Sequence, residues 1–198
     1  AARNRALSEI VSTLAPANPE VASEVFALLP PGEAQSEVVS SLINEWARNN
    51  PAAAVTWAAN LPAGSARQDA LTRAVEMWAQ HEPQKAVDWL RSEPASARRD
   101  SLLRDVVSQW AERSPDDALS WALAEKDSKV QQTALPGVLT GLAEREPERA
   151  AQIFNKHLNP DLQSDTAGEL AAAWASKDPA AASRWALNLT DADARQNA

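Results

Sequence analysis

The chain has no cysteine and no tyrosine, only five glycines and two histidines, and no long apolar run. Each shortage removes a class of function. Without cysteine there is no disulfide framework, no thiolate nucleophile and no thiolate metal site, and the compartment stays open, since such a chain suits cytosol and periplasm alike. No stretch approaches the ~18 apolar residues of a membrane span, and no charged-then-apolar signal segment opens the chain. Positive charge is also short: 19 Lys and Arg against 27 Asp and Glu give a net charge of -8. That balance excludes a phosphate backbone as the main partner and a generic anionic membrane surface, because both need clustered cations. The glycines form no phosphate-cradling loop; Gly32 and Gly64 read as turns, Gly137, Gly141 and Gly168 as irregularities.

What is there is a repeat, whose period is the step from Trp46 to Trp78 and from Trp78 to Trp110, kept through six copies with no insertion or deletion. Its frame is W-A-x-x-x-P-x-x-A-x-x-W, as in Trp46-Ala47, Pro51, Ala54, Trp57 and in Trp110-Ala111, Pro115, Ala118, Trp121. The first and fifth copies keep the skeleton with Leu14 and Val25, and with Leu142 and Ile153, in place of tryptophan. A period of this length means stacked supersecondary units, none able to bury its apolar face alone.

Within a copy, the spacing Leu103, Val106, Val107, Trp110, Ala111 is the i, i+3, i+4, i+7, i+8 stripe of an amphipathic helix. A second helix opens at the framework proline, whose missing N–H would be unpaired at a first helical position anyway. The preceding residues, Asn18, Asn50, Glu82, Ser114, Glu146 and Asp178, are capping or acidic side chains. In the third copy the helices are predicted near 65–80 and 83–92. The expected fold is therefore all-α: a right-handed α-solenoid of six 32-residue antiparallel helix pairs, with units near 3–34, 35–66, 67–98, 99–130, 131–162 and 163–194 in one continuous array.

Two columns are alanine in every copy, from Ala15 to Ala175 and from Ala22 to Ala182, and all eight tryptophans fall in two further columns. Regular spacing on the apolar stripes predicts that these residues pack the core rather than stack on a ligand. Phe26 and Phe154 stand where the first and fifth copies lack tryptophan, replacing volume in the same layer. Pro136, Gly137 and Gly141 interrupt the first helix of the fifth copy, and a bend or adjustment is expected there. Residues 192–198 repeat the register of the third copy's opening; 195–198 read as the start of a truncated seventh unit in a segment of a longer array. The face of the sixth copy that this unit would cover, with Trp185, Ala186 and Leu189, is expected to be apolar, to pack against another molecule, and to support end-to-end self-association.

The repeat resembles the tetratricopeptide-like class of helical-hairpin repeats over essentially the whole chain, with its period near 34, its tryptophan and its small alanines at helix crossings. It lacks a W-x-x-L-G-x-x-Y segment, and its proline starts the second helix instead of following it. The resemblance implies a peptide- or protein-docking scaffold whose concave face is lined by first helices. The solvent-facing positions there that vary between copies are Glu37, Ser41, Asp69, Arg73, Glu76, Arg104, Asp105 and Ser108. Being mixed but net acidic, they point to a basic or polar peptide.

No constellation for catalysis emerges. His81 and His157 belong to different copies, the third and the fifth, and Asp116-Asp117 follow a proline at a helix N-terminus, where negative charge stabilises the helix. Asp69 with Arg73 and Asp100 with Arg104 read as ordinary i,i+4 surface pairs. The expected function is a non-enzymatic protein- or peptide-interaction scaffold, with no cofactor and no metal. The alternative is a structural spacer or accessory superhelical region of a larger envelope protein or enzyme; a third class is a superhelical enzyme whose catalytic part lies outside these residues.

Overall fold

Twelve α-helices and no strand account for the described residues of the computed structural model, which are 2–189 and Arg195, and helix takes up 81% of them. They fall into two compact units, residues 1–82 and 83–198. The first holds α1 (Ala2–Leu14), α2 (Pro19–Phe26), α3 (Glu33–Asn49), α4 (Pro51–Ala59) and α5 (Ser65–His81). The second holds α6 (Pro83–Ser92), α7 (Ala97–Arg113), α8 (Pro115–Ala124), α9 (Ser128–Ala143), α10 (Pro147–His157), α11 (Pro160–Ala175) and α12 (Pro179–Leu187).

The helix ends are set by the residues that flag them in the sequence. Pro19, Pro51, Pro83, Pro115, Pro147 and Pro179 each begin a second helix. Ahead of three of them, Asn18, Asn50 and Asp178 accept hydrogen bonds from the backbone N–H of Val21, Ala53 and Ala181, relieving donors that the first turn leaves unpaired. The helix pair of the third copy, Ser65–His81 and Pro83–Ser92, matches the predicted 65–80 and 83–92.

Packing within each unit follows the repeat. In the first unit α1 meets α2 and α3, and α3 meets α4 and α5; in the second, α7 meets α9 and α9 meets α11, each also touching its own second helix. The alanine columns lie at the centre, since Ala15, Ala79, Ala111, Ala143, Ala22, Ala54, Ala86, Ala118 and Ala150 have no exposed surface. The two tryptophan columns differ, contrary to the expectation that both are core. Trp46, Trp78, Trp110 and Trp174 on first helices are buried, whereas Trp57, Trp89, Trp121 and Trp185 on the shorter second helices are half-buried. A helix of nine or ten residues offers too little length to cover a whole indole edge. The two phenylalanines do supply aromatic volume: Phe26 meets Trp57 at 5.2 Å and Phe154 meets Trp185 at 5.4 Å between ring centres, both edge to face.

A recurring feature passed unnoticed in the sequence. Gln35, Arg67, Arg99, Gln131 and Gln163 stand at one repeat position, near the start of a first helix. The side-chain amides of Gln35, Gln131 and Gln163 donate to the carbonyls of Leu29, Ala122 and Leu158, at or just beyond the end of the preceding second helix. Those carbonyls have no partner inside their own helix, so the glutamines stitch successive copies together through groups that would otherwise stay bare. A column of long hydrogen-bond donors, one per copy, was the available signal.

Two further expectations need correction. Ala175 is exposed although its five column mates are buried. Leu189, expected on an open face, is only 5% exposed, while Leu187 beside it is 77% exposed and Ala186 is half-buried. The seventh-helix reading of residues 192–198 falls outside the described residues, apart from Arg195.

Candidate functional site

The interrupted helix of the fifth copy builds a concave surface in the second unit. α9 runs through Pro136 from Ser128 to Ala143. Gly137 and Gly141 are there for a reason other than softening: a Cβ on Gly137 would lie closer than 3.0 Å to the Arg104 carbonyl oxygen, and one on Gly141 equally close to that of Ser108 and to the Ala111 side chain. With glycine one turn apart, the backbone of α9 comes directly against that of α7. The expected irregularity is thus a site of close approach.

Beside this contact α7, α9 and α11 enclose two adjoining pockets. The larger, of about 540 Å³, is bounded by Asp100 and Arg104 on α7, by Ser128, Lys129, Gln132, Thr133 and Pro136 on α9, and by Asn159 and Leu162 where α11 begins. The smaller, of about 360 Å³, takes Arg104, Asp105 and Ser108 from α7, Gly137 and Thr140 from α9, and Glu169 from α11. Arg104 and Pro136 belong to both, so the two form one groove. Gln132 holds its far wall, donating to the His157 carbonyl at 3.0 Å and accepting from the Asn159 N–H at 2.9 Å.

Electrostatically the groove is divided. Asp100 does not pair with Arg104 as expected; its Oδ1 lies 2.8 Å from Nε of Arg99, a side chain only 7% exposed. A buried guanidinium claims the nearest carboxylate because its desolvation is the costlier one to leave uncompensated. Arg104 and Lys129 therefore have no acidic partner among the described residues. At the other end the Glu169 carboxylate accepts from the Thr140 hydroxyl at 3.0 Å, and Asp105 forms no ion pair among the described residues although Arg104 lines the same pocket.

The remaining predicted positions lie in the first unit: Glu37 and Ser41 on α3, and Asp69, Arg73 and Glu76 on α5. Glu37, Asp69 and Arg73 are exposed, Ser41 and Glu76 half-buried. Arg73 turns from Asp69 to donate to the Asn44 side chain at 2.5 Å, a link between α3 and α5 repeated by Thr140 and Glu169 at the same repeat positions in α9 and α11. The structure brings Arg104, Asp105 and Ser108 together on one pocket wall, and the first-unit positions line neither part of this groove. Lys129, Gln132, Thr140 and Glu169 were not foreseen, since their role comes from helices that meet only in the folded chain.

Away from the groove two ion pairs bridge neighbouring second helices. Arg149 sits 2.6 Å from Asp116, and Arg91 lies 3.0 Å from Glu125, whose side chain is 5% exposed. Burial alone would raise the Glu125 carboxyl, but the Asp127 N–H and the Arg91 guanidinium outweigh it and hold the group below its ordinary value of 4.5. A depressed carboxylate stabilises the fold at pH values above its unfolded pKa, and that contribution fades as the pH falls through the folded one. Glu125→Gln is therefore expected to be less stable than the parent at neutral pH, with the difference shrinking through the acid range. Urea melts at pH 7 and at steps down to pH 3 measure this, and a difference that is constant or grows on acidification contradicts it.

No group of three or more His, Cys, Asp or Glu side chains that could hold a metal ion occurs among the described residues, and no helix among them is long and apolar enough to cross a membrane. Comparison with protein-family models, curated proteins and solved structures returns no match to this chain.

Proposed function

We propose that the chain is a non-enzymatic interaction module that binds peptide segments of protein partners on the exposed face of its first helices, with the groove over α7, α9 and α11 as the principal site. The observation that carries this reading is convergence: Arg104, Asp105 and Ser108, singled out because they change between copies while the framework does not, line one pocket. Invariant columns are occupied with packing, so the freedom to vary falls on the surface a partner would read. The partner is polar, with basic groups set against carboxylates such as Asp105 in the groove. This is the tetratricopeptide-like mode of docking, in which a repeat face supplies many small contacts in place of one deep cavity.

The reading is tested by selecting peptides from a random display library on the whole chain and measuring the affinity of the winners for the parent and for Thr140→Trp. That indole fills the groove at a half-buried position, and circular dichroism confirms that the helices remain. Selected peptides should lose at least tenfold in affinity for the variant. Selection that yields no binder, or binders indifferent to Thr140→Trp, rejects the site.

A further inference from the structure

Granting that the groove takes a peptide, its charge layout specifies which kind. We infer that the groove is a polarised clamp for an extended segment carrying an acidic residue at one end and a basic residue at the other, separated by a short apolar stretch.

At the end where α9 and α11 begin, the Arg104 guanidinium and the Lys129 ammonium border the larger pocket with no acidic partner among the described residues. The one carboxylate on that wall, Asp100, lies against the buried Arg99, 2.8 Å from its Nε though not aligned for a hydrogen bond. The α9 N-terminus is already capped by the Asp127 carboxylate and Asp161 stands in the first turn of α11, so the attraction at this end rests on the two cationic side chains. A ligand carboxylate placed there meets two cations, and the planar fork of Arg104 can hold it bidentately.

At the opposite end the signs reverse. Asp105 and Glu169 face the smaller pocket, and among the described residues the group hydrogen-bonded to the Glu169 carboxylate there is the neutral Thr140 hydroxyl. Two carboxylates that form no ion pair among the described residues leave acceptors for a ligand ammonium, guanidinium or amide, with Arg104 lining the same pocket. Between the two ends lies Pro136, common like Arg104 to both pockets, with Leu162 on the wall of the larger one. Pro136 is itself buried and has no N–H to donate, and the half-buried Leu162 supplies the apolar surface. An all-acidic segment would meet Asp105 and Glu169, and an all-basic one would meet Arg104 and Lys129. Each suffers like-charge repulsion at one end, and such juxtaposition sets specificity more than affinity.

The test uses five fluorescein-labelled peptides, Glu-Leu-Ala-Leu-Lys, its reverse Lys-Leu-Ala-Leu-Glu, Glu-Leu-Ala-Leu-Glu, Lys-Leu-Ala-Leu-Lys and Gln-Leu-Ala-Leu-Gln, titrated with the whole chain by fluorescence anisotropy. At least one mixed-charge peptide should bind tenfold or more tightly than each of the other three types, with the preference falling at high salt. Lys129→Glu, at an exposed side chain, should then turn the preference towards Lys-Leu-Ala-Leu-Lys, a gain that misfolding cannot produce. Equal affinity for all five, or a winner of a single sign, overturns the polarised clamp while leaving peptide binding in place. If none of the five binds but library-selected peptides do and carry no paired opposite charges, the clamp is again rejected. Failure of both sets rejects the docking function itself.

Discussion

Trp110→Ala should lower stability by about 3–5 kcal/mol. The indole is 6% exposed and its ring centre lies 6.2 Å from that of Trp121 on the partner helix of the same copy. It stands on the apolar stripe of α7 with Val106, Val107 and Ala111, all at 1% exposure or less. Truncation removes the transfer free energy of a large side chain and leaves a cavity that neighbours this small and this regularly placed cannot close. Trp121→Ala, on a half-buried ring, should cost visibly less. Urea denaturation followed by far-ultraviolet circular dichroism measures both. An unchanged midpoint for Trp110→Ala would place that indole outside the core and reopen its use as a ligand-stacking surface.

Gly137→Ala and Gly141→Ala set two physical effects against each other. Intrinsic helix propensity favours alanine by about 1 kcal/mol at each position. Against it, either Cβ would fall closer than 3.0 Å to a backbone carbonyl oxygen of α7, and backbone cannot swing aside as the end of a side chain can. Forcing a methyl into a packed contact costs about 1–3 kcal/mol, so each substitution is expected to destabilise on balance, and the pair together more than either alone. The double variant should also widen the α7–α9 contact next to Arg104 and Pro136 and weaken whatever the groove binds. Thermal denaturation decides the sign. A double variant more stable than the parent would mean that the glycines are ordinary weak spots in a tolerant helix.

Much of the fold was legible because its signals are local and repeated. A proline at each second helix start, with a capping side chain before three of the six, acts within the first turn, and six copies of the pattern fix helix order and ends without reference to tertiary contacts. The periodic stripes likewise mark Trp110, Ala111 and Ala118 as core, because burial on an amphipathic helix follows from spacing alone. The candidate site was legible in one wall only. Arg104, Asp105 and Ser108 stand out as variable positions on a single helix, whereas Lys129 and Glu169 join them from α9 and α11.

Tertiary structure decided what depends on packing between helices. It gave Gly137 and Gly141 a packing role, because closeness to α7 is a property of two helices and of neither alone. It drew Asp100 from Arg104 to the buried Arg99, since an ion out of water claims the nearest countercharge. It separated the tryptophan columns, and it left Ala175 exposed while Ala111 and Ala143, with the same local sequence role, are fully covered. The sequence by itself determined which residues can be buried, through the period and the helical stripe; which of them are buried was decided by the helices that pack against them, because burial is a relation between surfaces.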